Sequence, residues 1–92
     1  MKITKIIREG NWVYDNLVTK TVKIIEQNWD NYYEEGYSEE PPDLNEKGLA
    51  YYVVFGEPNA EGNYSSISRT FLSLSEAIQF AENSVEFLKW HN

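Results

Sequence analysis

The feature that most constrains the fold is the amphipathic pattern of the C-terminal segment from Ser73 to Trp90. Ser73 and Glu76 have the spacing of a capping box, in which each side chain accepts a hydrogen bond from a backbone N–H at the helix start. Apolar residues then recur at steps of three and four, which places them on one stripe of a helix: Leu74, Ala77, Ile78, Ala81, Val85 and Leu88. We expect a helix whose stripe packs against a sheet.

The preceding residues supply that sheet. Strands are predicted at 2–8, 12–14, 17–28, 49–55 and 65–72, with turns at Glu9–Asn11 and Asp15–Asn16 and a hairpin loop at Gly56–Asn63. The segment from Leu49 to Phe55 is apolar on both faces, which is typical of a central strand. The pattern predicts one α+β domain over residues 1–92, an antiparallel meander of about four strands with one C-terminal helix packed on one face.

Residues 17–28 fit two periodicities. A helical stripe runs through Val18, Val22 and Ile25, whereas the density of β-branched residues favours a pleated strand. The absence of a helix start signal beyond Asp15 decides for the strand.

Residues 29–48 form a long acidic connection that contains Pro41 and Pro42, which exclude regular ladder pairing there. A connection of this length within a small domain is typical of a functional loop or a packed Ω-loop. Eight acidic residues and no basic residue lie between Glu26 and Glu46, although the net charge of the whole chain is only −7. This field disfavours direct nucleic-acid binding, which needs concentrated positive charge.

The residues that carry most enzyme chemistry are scarce. The chain has no cysteine and a single histidine, His91, so thiolate chemistry is excluded and structural zinc is disfavoured. The acidic connection lacks the ligand spacing of an EF-hand loop, and no P-loop, dinucleotide fingerprint or nucleophile elbow is present. We therefore expect no catalytic site, no metal and no cofactor. Without a long apolar run, we also expect no membrane association and a cytoplasmic location.

Two surfaces remain as interface hypotheses. The first is an aromatic ridge on the helix face opposite the apolar stripe, where an exposed aromatic cluster would mark an interface: Phe80, Phe87 and Trp90. The second is the Tyr-rich acidic connection, suited to a basic protein patch: Tyr32, Tyr33, Glu34, Glu35, Tyr37, Glu39 and Glu40. Arg69, a base between apolar neighbours, is a weaker candidate anchor for an anionic ligand.

These surfaces favour a non-enzymatic protein-interaction or regulatory module with a protein partner, and a homodimer fits the same surfaces. Two alternatives stay open. One is an acidic decoy that occupies a nucleic-acid-binding protein by offering carboxylates in place of phosphates. The other is a small-ligand-binding domain.

Overall fold

The computed structural model describes residues 1–34, 36 and 41–91. Within these residues, a five-stranded sheet in the order β4-β3-β2-β1-β5, antiparallel between all neighbours, carries two helices. The elements are β1 (Thr4–Tyr14), β2 (Val18–Gln27), α1 (Asn31–Glu34), β3 (Ala50–Phe55), β4 (Ser66–Ile67), α2 (Leu74–Ser84) and β5 (Lys89–Trp90). The α+β class and the antiparallel sheet are confirmed, whereas the strand count and the position of the helix differ from the prediction.

Strands β1 and β2 form a long hairpin. Asp15 and Asn16 have φ values of 53° and 55°, and the Leu17 N–H donates to the Tyr14 carbonyl at 3.0 Å. Two successive residues with positive φ characterise the type I′ turn, whose twist matches that of the flanking strands. The predicted turn at Asp15–Asn16 is therefore present, and the strand alternative for residues 17–28 is confirmed.

The turn predicted at Glu9–Asn11 is wrong, because β1 runs through Gly10 without interruption. Gly10 instead permits close approach: a Cβ there would lie 2.7 Å from the carbonyl oxygen of Lys89, in β5. The irregularity in β1 is a bulge between Ile6 and Arg8, where the register against β2 shifts.

Helix α2 begins as predicted, with the Ser73 hydroxyl accepting from the Glu76 N–H at 3.1 Å. It ends at Ser84 rather than at Trp90. Val85 is extended and Phe87 has a φ of 56°, so the chain turns and returns to the sheet. The last residues then pair with Gly10 and Asn11 as β5, because the edge of β1 offers free backbone hydrogen-bonding groups.

The sheet has an apolar cluster on each face. The helix face is built on Val22, Ile24 and Val53, each fully buried, against Ala77 and Ala81 of α2. The opposite face has a smaller cluster, which Tyr32 and Leu44 of the long connection help to cover: Ile25, Ala50, Tyr52 and Val54. The long strand predicted at 65–72 is reduced to Ser66–Ile67 and a single bridge between Tyr51 and Phe71.

Candidate interaction surface

The predicted aromatic ridge does not exist as one helix face, because α2 ends before two of its three rings. Phe80 is half-buried against Phe71, with ring centroids 5.2 Å apart. Trp90 lies on β5, where its indole N–H donates to Glu82 at 3.2 Å. Phe87 alone is well exposed, at 65% of its surface. The helical spacing was wrong for Phe87 and Trp90 because the predicted helix extended past its true end at Ser84.

The acidic connection is partly structural. Asp30 is only 5% exposed, and its carboxylate accepts backbone N–H groups of Tyr32 and Tyr33 at 3.0 and 3.4 Å and of Asp43 at 2.8 Å. The buried hydroxyl of Tyr52 also donates to it at 3.4 Å. A buried carboxylate with this many donors holds both ends of the connection on the sheet.

The other predicted residues of this surface divide into two groups. Tyr32 is half-buried and donates to the Ser68 carbonyl at 2.6 Å, so its ring helps to pack the loop. Tyr33 is 40% exposed, and Glu34 pairs with Lys2 at 2.9 Å. The remaining four lie outside the described residues: Glu35, Tyr37, Glu39 and Glu40.

Arg69 is exposed, and its guanidinium carbon lies 4.4 Å from the centroid of the Phe71 ring. Stacking on an aromatic ring gives the cation an intramolecular contact and covers part of that ring. The anchor role for Arg69 stays a prediction.

A different surface gathers exposed apolar side chains at the turn of the β1–β2 hairpin. Leu17 is 82% exposed, while Tyr14 and its cross-strand partner Val18 are 55% and 49% exposed. Phe87 adjoins this turn, because the carbonyl of the preceding residue, Glu86, accepts the Val13 N–H at 3.1 Å. We call these four side chains the hairpin end: Tyr14, Leu17, Val18 and Phe87.

Sequence reasoning missed the hairpin end for a definable reason. The turn at Asp15–Asn16 is predicted correctly, but the predicted strand begins at Leu17, and an apolar residue within a strand is ordinarily expected to be buried. A local signal was present, since an apolar residue directly after an Asp-Asn turn stands at the tip of a hairpin, where covering elements are few.

A groove lies beside the hairpin end, between the sheet and the C-terminus of α2. It consists of two adjacent cavities of about 670 and 450 Å³ that share Trp12, Ser84 and Val85 as lining residues. The larger cavity also includes Asp15 and Glu86, and the smaller one includes Lys20. The groove exists because α2 stops short of the hairpin turn.

The aromatic residues of this groove have a defined geometry. The rings of Trp12 and Tyr14 lie edge to face, with centroids 6.0 Å apart and planes at 89°. The Lys20 ammonium sits 5.2 Å from the centroid of Tyr14. The indole N–H of Trp12 is buried without a hydrogen-bond partner, as is that of Trp29 near α1.

Among the described residues, three groups have shifted pKa values, and all three lie within the sheet. Burial raises the pKa of the Tyr51 hydroxyl, and a hydrogen bond to Glu26 adds to the effect. Burial also raises the pKa of Tyr52. Burial opposes the charge of Lys23, but its contacts with Glu57 and Tyr64 prevail and raise its pKa. These shifts follow from packing and ion pairing.

Within residues 1–34, 36 and 41–91, no group of three or more His, Cys, Asp or Glu side chains is placed to hold a metal ion. The same part of the chain contains no helix that is long and apolar enough to span a bilayer.

Comparison of the chain with protein-family models, with curated proteins and with solved structures finds no match in any of the three.

Proposed function

We propose that this protein is a non-enzymatic protein-interaction module that binds a partner protein through the hairpin end. The observation that carries the proposal is the exposure of four large apolar side chains at and beside one hairpin turn. Scattered exposed apolar residues are ordinary, whereas a group at one place is typical of a contact surface.

The energetics agree with a binding role. Full burial of one Leu or Phe side chain contributes about 1.5 to 3 kcal/mol, so Leu17 and Phe87 together supply the core of a small interface. The type I′ turn holds Leu17 in place before binding, which reduces the entropy lost on association. Phe87 has positive φ, a conformation that costs a bulky residue free energy. Residues in such strained conformations cluster at functional sites.

The acidic-decoy alternative has less support among the described residues. Asp30 is buried, Glu26 accepts from the Tyr51 hydroxyl and Glu34 pairs with Lys2. Carboxylates engaged in this way are less available to imitate a phosphate backbone. Homodimerisation through the hairpin end remains one form of the proposed interaction.

The test compares protein capture by three immobilised forms in a lysate of the source organism: natural protein, Leu17→Ser/Phe87→Ser, and the control Ile3→Ser/Ile6→Ser. Ile3 and Ile6 are also exposed, at 45% and 50%, but they lie toward the other end of the hairpin. We expect the first variant to lose its partner by about tenfold or more and the control to retain it. Light scattering on the same samples identifies a second copy as the partner if the natural protein is a dimer. Equal capture by all three forms would contradict the proposal.

A further inference from the structure

We propose that the groove beside the hairpin end receives a cationic side chain of the partner, an arginine guanidinium or a lysine ammonium. This inference rests on the proposed function and adds the chemistry of the partner: a protein segment with a basic residue next to apolar ones. The arrangement that carries it is an aromatic corner, Trp12 with Tyr14, in a cavity that also includes two carboxylates, Asp15 and Glu86.

The rings supply the first part of the attraction. The face of an indole or phenol ring has a negative quadrupole potential, and a cation within about 6 Å of the centroid is attracted to it. Because the planes of Trp12 and Tyr14 are nearly perpendicular, a group seated in the corner contacts both rings. The corner is formed on one strand, since residues two apart point to the same face of a sheet.

The surrounding charges supply the second part. Asp15 and Glu86 are exposed carboxylates in the lining of the larger cavity. The C-terminus of α2 ends at Ser84 in the same lining and has no basic residue in its last turn. The unpaired carbonyl groups of a helix C-terminus carry partial negative charge, which also favours a cation.

Lys20 shows that the Tyr14 ring accepts a cation. It is the cross-strand partner of Trp12, and its ammonium already lies over the ring of Tyr14. This intramolecular contact competes with an incoming guanidinium for the ring and repels it electrostatically. The partner's cation therefore displaces the Lys20 ammonium from the ring of Tyr14. Removing the charge of Lys20 strengthens binding of the partner's cation.

The experiment is a titration of ¹⁵N-labelled full-length protein with two probes, Nα-acetyl-arginine amide and the neutral Nα-acetyl-citrulline amide of nearly identical shape. The readouts are the chemical shifts of the Trp12 indole N–H and of the Asp15 and Glu86 amides. We expect saturable shifts with the arginine probe in the millimolar range and binding at least about fivefold weaker with citrulline.

Three variants sharpen the test. Lys20→Met keeps the aliphatic stem and should tighten arginine binding about two- to fivefold. Asp15→Asn/Glu86→Gln should weaken it about three- to tenfold, and asparagine tolerates the positive φ at position 15. The matched control, Asp43→Asn/Glu46→Gln, removes two exposed carboxylates near the other end of the sheet and should leave binding unchanged.

Equal binding of arginine and citrulline, equal effects of the two carboxylate variants, or weaker binding after Lys20→Met would each overturn the cation site. The two proposals fail separately. If arginine binds at the groove but the natural protein and Leu17→Ser/Phe87→Ser capture the same proteins equally, the proposed function is contradicted and the cation site stands. If protein capture depends on Leu17 and Phe87 but arginine and citrulline bind equally, the proposed function stands and the cation site is contradicted.

Discussion

The two ends of the β1–β2 hairpin differ in what they bury. At the end near α1, which we call the anchored end, polar side chains are tied by hydrogen bonds: buried Asp30 accepts four donors, and the exposed side chain of Asn28 accepts the Ile3 N–H and donates to the Met1 carbonyl. At the hairpin end, large apolar side chains lie at the surface, and Leu17 (82%) and Phe87 (65%) are more exposed there than Ile3 (45%) and Ile6 (50%) are at the anchored end. The contrast is between buried Asp30, which holds the long connection in place, and the exposed apolar surface that we propose for binding, which lies at the other end of the hairpin.

The largest expected effect concerns the anchored end. Asp30→Ala removes the buried acceptor of three backbone N–H groups and one phenol, leaving donors unsatisfied. We expect the free energy of unfolding to fall by about 3 kcal/mol. Urea denaturation followed by tryptophan fluorescence measures this, with Asp43→Ala as the exposed control. A loss below about 1 kcal/mol would show that the connection is held by its apolar contacts alone.

Gly10 connects β5 to the middle of the hairpin, so its substitution tests how the hairpin end is assembled. In Gly10→Ala, the added Cβ meets the Lys89 carbonyl oxygen at 2.7 Å and must displace β5. We expect a loss of about 2 kcal/mol and faster amide hydrogen exchange at residues 89–91. Unchanged exchange in these residues would mean that β1 moves in place of β5.

A smaller effect is expected for the ion pair between buried Lys23 and Glu57, 3.2 Å apart. Because the pKa of Lys23 is raised in the folded protein, this stabilisation is fully present below the ordinary value of 10.5 and is lost as the pH rises through the folded value. Glu57→Gln should therefore cost about 1 kcal/mol at neutral pH, with the cost vanishing above the folded pKa. Denaturation across this range checks it. A cost that does not depend on pH would contradict the assignment.

The smallest effect should have the opposite sign. Phe87→Asn replaces an exposed ring at a φ of 56° with a residue that tolerates that conformation. We expect the free energy of unfolding to rise by about 0.5 kcal/mol while partner binding weakens. Thermal denaturation measures the gain in stability, and the capture assay measures the loss of partner binding. A destabilised variant would place the ring of Phe87 in the core and weaken the assignment of the hairpin end.

Local patterns predicted much of the fold. The Ser73 cap, a turn at Asp15–Asn16 and a strand at Leu49–Phe55 were predicted from neighbours within a few residues, and the structure has the cap, the turn and a strand at Ala50–Phe55. The strand assignment of residues 17–28 succeeded for the same reason, since β-branching expresses a preference of the local backbone.

Long-range competition decided what was missed. The helix could have continued past Ser84 on periodicity alone, but the free edge of β1 draws the last residues into β5. Gly10 was predicted to lie in a turn because glycine is common in turns. Its actual role is to allow close approach of the Lys89 carbonyl, and the residues next to Gly10 in the sequence give no sign of that contact. The predicted ridge of Phe80, Phe87 and Trp90 required a helix that continues to Trp90, so it is absent because α2 ends at Ser84.

The sequence by itself determined the class of the fold, the start of α2 and the hairpin turn, because capping, alternation and turn chemistry are local. Only the tertiary structure decided where α2 stops, which acidic residues are buried and which apolar residues stay exposed. Exposure depends on what else covers a residue, and for Leu17, Trp12 and Phe87 this depends on elements distant in the chain. The candidate interaction surface is therefore a product of the assembled sheet.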